Sequence, residues 1–153
     1  MLLNINLLNY QDRLDIKYKN ANKYVFDLIR KKYLVLTPEE VVRQLILHYL
    51  IEEKSYPKNK IRVEMGLDVN TMSKRCDILV FDADFEPIVL VECKSAKVKV
   101  DQKVFEQIAR YNMTLKVPYL IVTNGPVNYC SKIDYENKQF QFLEEIPSYN
   151  KLK

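Results

Sequence analysis

The chain has 153 residues, of which 48% are hydrophobic and 29% charged, a balance typical of one globular domain spanning residues 1–153. Its net charge of +4 is compatible with an anionic partner but does not require one. No apolar run reaches about 18 residues and no basic leader precedes an apolar stretch, which argues against a membrane span and a signal peptide. Three cysteines are too few for a disulfide framework, so we expect a cytoplasmic protein.

The first third of the chain predicts an N-terminal arm followed by a well-capped helix. Residues 13–36 mix short strand-like runs with the turn sequence KNAN, which indicates a hairpin or arm. Thr37 and Glu40 have the spacing of a capping box at the start of a helix that runs to about Glu53. On the helical wheel Glu39 lies beside the apolar face, whereas Glu40 points to the polar side and back toward the Thr37 cap.

The central part predicts an antiparallel meander of three strands, then a helix and a further strand. The runs IRVEMGLDV, RCDILVFD and IVLVECK are separated by the turn sequences NTMS and DADFEP. Asp101 caps a helix that extends to about Lys116, and PYLIVTNG follows as a strand covered on both faces. The tail has the pattern of a hairpin that turns at residues 136–138. We therefore expect an α/β fold with a central mixed four-stranded sheet, flanking helices and a parallel crossover.

Two carboxylates and an amine fall at one end of the predicted meander. Glu92 and Lys94 are two residues apart and share a face of their strand. In a hairpin that turns within DADFEP, Asp77 lies roughly opposite Glu92, so the three polar groups are expected to cluster. The opposite strand phase would place Cys76 and Cys93 on the other face, against apolar side chains.

This combination of residues suits metal-assisted hydrolysis of a phosphodiester. Mg²⁺ prefers hard oxygen ligands, and a neighbouring lysine can orient water or stabilise developing negative charge. The alternative is an ordinary cross-strand ion pair at a sheet edge, which the spacing alone does not exclude. The single histidine, His48, lies at the edge of the apolar face of the first helix, and we expect it to be structural.

The spacing D-x14-E-C-K over residues 77–94, after a Glu-bearing helix, resembles the PD-(D/E)XK nuclease signature. Further matching runs are TPEEVVRQ at 37–44, RCDILV at 75–80, VECK at 91–94, QIARYN at 107–112 and IVTNG at 121–125. Together they resemble a small bacterial family related to the N-terminal nuclease domain of type I restriction enzyme R subunits, over about residues 24–147. The resemblance implies a restriction-endonuclease-like αβββαβ core with an N-terminal arm and a C-terminal hairpin.

The resemblance also implies a role for each matching residue of the acidic site. Asp77 and Glu92 would be metal ligands, with the backbone carbonyl of Cys93 as a further ligand. Lys94 would be the catalytic lysine, and Glu39 matches the helical acid that supports the metal through water. The implied cofactor is Mg²⁺, for which Mn²⁺ can substitute.

The second helix carries the residues for which the resemblance implies DNA binding. Gln107 and Tyr111 match the Q-x-x-x-Y motif of RecB-like nucleases and type I R subunits, and their spacing places both on one flank of the helix. Lys103 and Arg110 project close to Gln107, so this flank suits contacts to phosphates. For Tyr111 the alternative is packing in the core.

The implied activity is that of a metal-dependent deoxyribonuclease, expected to be an endonuclease, with DNA as partner and no membrane. Cys76 stands where the family pattern has proline, which carries no chemistry. The 153 residues contain no P-loop, so we expect the domain to act alone or with separate restriction-modification or motor subunits. The alternatives are a non-catalytic nucleic-acid-binding or scaffolding module in a defence or repair assembly, and a structural protein. The intact acidic site favours the enzyme, whereas the modest charge favours the alternatives.

Overall fold

The structure, a computed structural model, describes residues 2–69 and 72–152, which form two sheets, two α-helices and four short 3-10 helices. The helices are α1 (Pro38–Glu52) and α2 (Gln102–Tyr111), and the 3-10 helices are Leu7–Arg13, Lys58–Lys60, Met113–Leu115 and Tyr149–Lys151. The strands are β1 (Ile16–Lys19), β2 (Asn22–Asp27), β3 (Lys32–Val35), β4 (Ile61–Val69), β5 (Met72–Phe81), β6 (Pro87–Cys93), β7 (Tyr119–Thr123), β8 (Asn128–Asp134) and β9 (Gln139–Phe142).

A mixed six-stranded sheet forms the centre of the fold, in the order β4-β5-β6-β7-β8-β9. Neighbouring strands are antiparallel except β6 and β7, which are parallel and connected through α2. The predicted order of helix, three strands, helix and strand is confirmed from α1 to β7. The sheet has six strands rather than the predicted four because the C-terminal hairpin of β8 and β9 pairs with β7 and extends the same sheet.

The N-terminal segment forms a second, three-stranded antiparallel sheet in the order β1-β2-β3. The predicted hairpin or arm therefore has one strand more than a simple hairpin. Val25 of β2 is fully buried, and this face of the small sheet is turned toward the core. The Leu28 backbone N–H donates to Gln44 Oε1 of α1 at 3.4 Å, and Arg30 Nη2 lies 3.3 Å from Glu40 Oε1. These contacts attach the small sheet to α1.

Two apolar clusters cover the two faces of the six-stranded sheet. The first cluster joins α1 to one face, with Leu45 packed among residues that include Ile78. The second joins α2 to the other face, with Phe105 packed among residues that include Leu90. Complete burial of a side chain such as Phe105 contributes roughly 1.5–3 kcal/mol. All residues of β7 are buried, as predicted for a strand covered on both faces.

Strand β5 changes its facing direction at Asp77. Cys93 packs in the α1 cluster, as predicted, but Cys76 packs in the α2 cluster. Regular alternation would put Cys76 on the same side as Ile78, which belongs to the α1 cluster. The prediction that both cysteines share one face is therefore wrong for Cys76, although both are buried among apolar residues.

The neighbouring strand β4 changes direction at the same level. Val63 packs against the α1 cluster and Met65 against the α2 cluster, although residues two apart normally share a face. Between them, Glu64 has a φ of +57°, in the left-handed region that non-glycine residues seldom adopt. The turn predicted before β5 at residues 70–73 includes Asn70 and Thr71, which lie outside the described residues.

None of the helices within the described ranges has both the length and the apolar character that crossing a membrane requires. His48 of α1 is buried, and its Nδ1 lies 3.4 Å from Glu52 Oε1, a contact within the helix.

Candidate active site

The acidic pair lies where β5 and β6 separate. Ile78 pairs with Val91, so continuing the ladder by one residue puts Asp77 opposite Glu92. Asp77 Oδ2 accepts a hydrogen bond from the Cys93 backbone N–H at 2.7 Å, which fixes this carboxylate at the end of β6. The Asp77 carboxylate lies close enough to Glu92 for its charge and hydrogen bonding to raise the pKa of Glu92. The structure thus brings the two predicted carboxyl groups together at one end of the sheet.

This contact changes the protonation of Glu92. Burial, then the negative charge of Asp77 and the hydrogen bond between the two groups, raise the pKa of Glu92 to about 8, while Lys94 acts in the opposite direction. The raised pKa means that the fold favours the protonated form of Glu92 beside the Asp77 carboxylate. A cation between the two groups would allow both to ionise.

Lys94 follows β6 at the same end of the sheet. Its backbone N–H donates to the Thr123 carbonyl of β7 at 2.8 Å, one residue beyond the parallel pair of Cys93 and Thr123. Its positive charge acts on the pKa of Glu92, which places the ammonium group near the acidic pair. The parallel pairing with β7 therefore positions the predicted catalytic lysine.

Arg43 of α1 connects the helix to the carboxylates of the sheet. Its Nη1 lies 2.7 Å from Glu40 Oε1, and its Nη2 lies 2.7 Å from Glu64 Oε1 and 3.6 Å from Asp77 Oδ1. The Arg43 side chain is only 5% exposed. Burial lowers the pKa of Arg43, but the surrounding carboxylates outweigh this effect and the pKa is raised overall. The guanidinium is therefore a permanent cation inside the acidic cluster.

Arg43 and Glu64 belong to the site, although neither was predicted as a site residue from the sequence. Arg43 lies one helical turn after Glu39 and Glu40, a spacing at which acids and bases pair, and that signal could have selected it. Glu64 lies between Val63 and Met65 in β4, but its contact with Arg43 depends on a backbone conformation that its residue type does not predict.

The two acids at the start of α1 differ from the prediction in one respect. Thr37 Oγ1 accepts a hydrogen bond from the Glu40 N–H at 3.1 Å, so the predicted cap is confirmed. The Glu40 carboxylate is buried, and it accepts from Arg43 and, at 3.1 Å, from Gln44 Nε2. The prediction that Glu40 points to the polar side is wrong, because a buried arginine requires a buried partner.

Glu39 occupies the more exposed position near the acidic pair. Its side chain is 51% exposed, and its Oε1 lies 3.5 Å from Arg43 Nη2. Its negative charge contributes to the raised pKa of Glu92. The structure therefore places Glu39 on the side of the site where it was expected.

Two clefts open on either side of the acidic pair. The cleft on the α1 side has a volume of about 480 Å³, and its lining includes Glu39, Glu40, Arg43, Glu64 and Ser95. The cleft on the α2 side has a volume of about 320 Å³, and its lining includes Arg75, Glu92, Lys94, Gln107 and Tyr111. The predicted DNA-binding residues Gln107 and Tyr111 thus share a cleft with Glu92 and Lys94.

The remaining predicted DNA-binding residues lie outside that lining. Lys103 and Arg110 are exposed on α2, and Arg110 Nη2 lies 4.0 Å from Glu106 Oε2. Tyr111 is 66% exposed, so the alternative that it packs in the core is wrong.

The proposed metal ligands have suitable donor chemistry. Among residues 2–69 and 72–152, no three side chains of His, Cys, Asp or Glu are arranged as a metal-binding group. The predicted ligand set is smaller, because it has two side chains, Asp77 and Glu92, and the carbonyl of Cys93, and it stays a prediction. All three would offer hard oxygen ligands, which Mg²⁺ prefers. The raised pKa of Glu92 indicates that positive charge is favourable beside the acidic pair.

The arrangement of α1, β4 to β6, α2 and β7 around this site defines a restriction-endonuclease-like fold. The profile of the family described as the type I restriction enzyme R protein N terminus (HSDR_N) matches residues 38–147. The chain therefore belongs to this family.

A solved structure has a similar fold. It is a fragment described as an HsdR subunit of a type I restriction enzyme from Vibrio vulnificus YJ016, with a TM-score of 0.52 and 23% sequence identity. The match covers 76% of this chain and 24% of that one, so the chain spans about a quarter of the length of that relative. No curated protein matches the chain.

The buried position of Glu40 leads to a stability prediction. Glu40→Ala removes the buried partner of Arg43 and should lower the free energy of unfolding by about 3–5 kcal/mol. Glu39→Ala removes a half-exposed partner of the same arginine and should cost less than about 1 kcal/mol. Urea unfolding of both variants measures the difference, and equal costs would show that Glu40 does not anchor Arg43.

The raised pKa of Glu92 leads to a prediction about pH. A carboxyl whose pKa is higher in the folded state than in the unfolded chain loses its stabilising effect as pH rises, here between about 4.5 and 8. Glu92→Gln abolishes this titration. In EDTA, the free energy of unfolding of Glu92→Gln, relative to that of the parent, should therefore rise by about 1–3 kcal/mol between about pH 5 and about pH 8.5. Urea unfolding at the two pH values measures this change.

The exposed Glu86 provides the matched control for this experiment, because it lies in the turn before β6. Glu86→Gln should have the same pH dependence as the parent. An identical pH dependence for Glu92→Gln and the parent would contradict the raised pKa of Glu92.

Proposed function

We propose that the protein is a nuclease that hydrolyses phosphodiester bonds of DNA with Mg²⁺ as cofactor, for which Mn²⁺ can substitute. The observation that carries this proposal is the contact of the Asp77 and Glu92 carboxyl groups beside Lys94 at the end of β6. Membership of the type I restriction enzyme R protein N-terminal family supports it. We further propose endonucleolytic cleavage, with separate restriction-modification or motor subunits as partners.

The acidic pair would bind the cofactor. Asp77, Glu92 and the carbonyl of Cys93 would hold Mg²⁺, which when bound supplies positive charge that polarises phosphate and activates water. Glu92 must release its proton to bind the metal. Because the pKa of Glu92 is raised, the affinity for Mg²⁺ should increase as the pH rises. The Cys93 N–H keeps the Asp77 carboxylate in place meanwhile.

Lys94 and Glu39 would have different roles in the reaction. The Lys94 ammonium group stabilises negative charge that develops on the phosphate, or orients the attacking water. Glu39 is half exposed beside Arg43, so it can hold water at the rim of the site.

Helix α2 supplies the surface that contacts DNA outside the scissile bond. Gln107 and Tyr111 line the cleft that also holds Glu92 and Lys94, and their amide and hydroxyl groups suit hydrogen bonds to phosphate oxygens. Lys103 and Arg110 are exposed on the same helix and add positive charge. These contacts would fix the register of the backbone without reading sequence.

Arg43 and Glu64 are positioning residues in this proposal. Arg43 lies farther from Asp77 (3.6 Å) than from Glu40 and Glu64 (2.7 Å each), so its main bonds join α1 to β4. Its Nε is buried and has no hydrogen-bond partner in the part of the chain that the structure describes. Because Arg43 bonds mainly to Glu40 and Glu64, it would offset negative charge in the protein without metal and still leave Asp77 available as a ligand.

Two substitutions separate metal binding from chemistry. Asp77→Asn should abolish both the Mg²⁺-induced rise in melting temperature and the nicking of supercoiled plasmid, because it removes a charged ligand. Lys94→Ala removes no ligand, so the Mg²⁺-induced rise should persist while nicking falls by on the order of 10²–10⁴-fold.

Lys97, an exposed lysine three residues further along the chain, is the matched control, and Lys97→Ala should nick plasmid like the parent. Full activity of Lys94→Ala would rule out this site as the catalytic centre. A parent that binds DNA but neither binds metal nor cleaves would identify a non-catalytic binding module on the same fold.

A further inference from the structure

The solvent face of the N-terminal sheet combines aromatic rings with lysines. In the strand register Lys17 lies beside Tyr24, and Phe26 lies beside Tyr33. Since alternate residues of a strand share a face, these side chains lie opposite the buried Val25. We name this surface the aromatic–basic face and define it by Lys17, Lys19, Tyr24, Phe26 and Tyr33.

The rings of this face form a connected surface. The rings of Phe26 and Tyr33 meet edge to face with centroids 5.2 Å apart, and Lys17 Nζ lies 4.3 Å from the centroid of Tyr33. The Tyr33 hydroxyl donates to Asp15 Oδ2 at 2.6 Å, which holds the ring in place. A cleft of about 570 Å³ opens here, lined by Lys17, Tyr18, Lys19, Asn20, Tyr24 and Tyr33.

The charge of the small sheet is strongly positive. Residues 16–35 contain six basic side chains, which are Lys17, Lys19, Lys23, Arg30, Lys31 and Lys32. The one acid in this range, Asp27, is fully buried and pairs with Arg30 at 2.9 Å. The exposed carboxylate of Asp15, just before β1, is engaged by the Tyr33 hydroxyl. Of these six side chains, Lys17 and Lys19 belong to the aromatic–basic face, where their positive charge complements a polyanion.

We propose that the aromatic–basic face binds single-stranded nucleic acid, with bases stacked on Tyr24 and Tyr33 and phosphates near Lys17 and Lys19. Aromatic platforms combined with basic side chains are the usual means of binding unpaired strands, whose bases offer open ring faces. Three strands about 4.8 Å apart provide room for about two or three bases. In a duplex the bases are stacked on one another, so their ring faces are not available to stack on Tyr24 and Tyr33.

This surface is distinct from the candidate active site. It lies within residues 16–35, whereas the family profile matches residues 38–147, and its cleft shares no lining residue with the two clefts beside the acidic pair. The contacts of Leu28 with Gln44 and of Arg30 with Glu40 fix it relative to α1. A bound strand is thereby held at a constant position relative to the helix that carries Glu39 and Arg43, whether or not the site is catalytic.

Fluorescence anisotropy in EDTA tests the proposal without any contribution from cleavage. The probes are labelled dT and rU oligomers of about ten nucleotides and a blunt duplex of similar length. Tyr33→Leu should weaken binding of the single strands about tenfold, whereas Tyr33→Phe keeps the ring and loses only the hydrogen bond to Asp15, so it should bind clearly more tightly than Tyr33→Leu. Similar binding of both oligomers indicates a general single-strand site, and a preference identifies DNA or RNA as the ligand.

The lysines provide a second test that leaves every aromatic ring of the face in place. Lys17→Ala/Lys19→Ala should lower the slope of log affinity against log salt by about 1.4, as expected for two lost phosphate contacts on a single strand. Lys58→Ala/Lys151→Ala removes the same charge from exposed positions outside the face and should leave the slope unchanged. Thermal unfolding verifies that each variant is folded. If Tyr33→Leu is unfolded, the salt dependence of the Lys17→Ala/Lys19→Ala variant tests the proposal in its place.

Three results would overturn the proposal: no binding of either oligomer by the parent, an equal loss of binding in the control pair, or equally tight binding of duplex. A parent that binds single strands in EDTA but never cleaves with Mg²⁺ would instead contradict the proposed nuclease activity alone.

Discussion

The contact between the carboxyl groups of Asp77 and Glu92 is the constraint on which the rest of the site depends. Two acids in contact repel unless a proton or a cation lies between them or nearby. The fold provides this compensation from several elements, since β6 supplies the Cys93 N–H, α1 supplies Arg43 and the end of β6 supplies Lys94. The surrounding groups therefore offset the negative charge of the acidic pair, and this explains how the pair can persist in a largely buried position.

The change of facing direction in β4 and β5 makes this arrangement possible. In a regular strand Asp77 would face only the α2 side with Leu79, but its carboxylate also reaches Arg43, which belongs to α1. The left-handed backbone of Glu64 costs roughly 1–2 kcal/mol. The ion pair with Arg43 at 2.7 Å offsets part of that cost, so backbone strain, the arginine and the acidic pair form one interdependent unit.

The sequence predicted the parts of the site that follow from strand periodicity and turn position. The apolar runs on either side of DADFEP place Asp77 opposite Glu92, and helical spacing places Gln107 with Tyr111. It did not predict the burial of Glu40, because a helical wheel shows that Arg43 lies one turn later but not that the arginine side chain is buried. The side on which Cys76 packs was also missed, since a positive φ at a glutamate has no signature in the residue type.

The central claim is that Asp77, Glu92 and the Cys93 carbonyl form a divalent-cation site. Paramagnetic Mn²⁺ added in substoichiometric amounts to the isotope-labelled protein measures this directly, because bound Mn²⁺ broadens the amide signals of nearby residues. We expect the signals of Asp77, Glu92, Cys93 and Lys94 to disappear first and to return when excess Mg²⁺ competes. Broadening that begins elsewhere in the chain, or none that Mg²⁺ reverses, would contradict it.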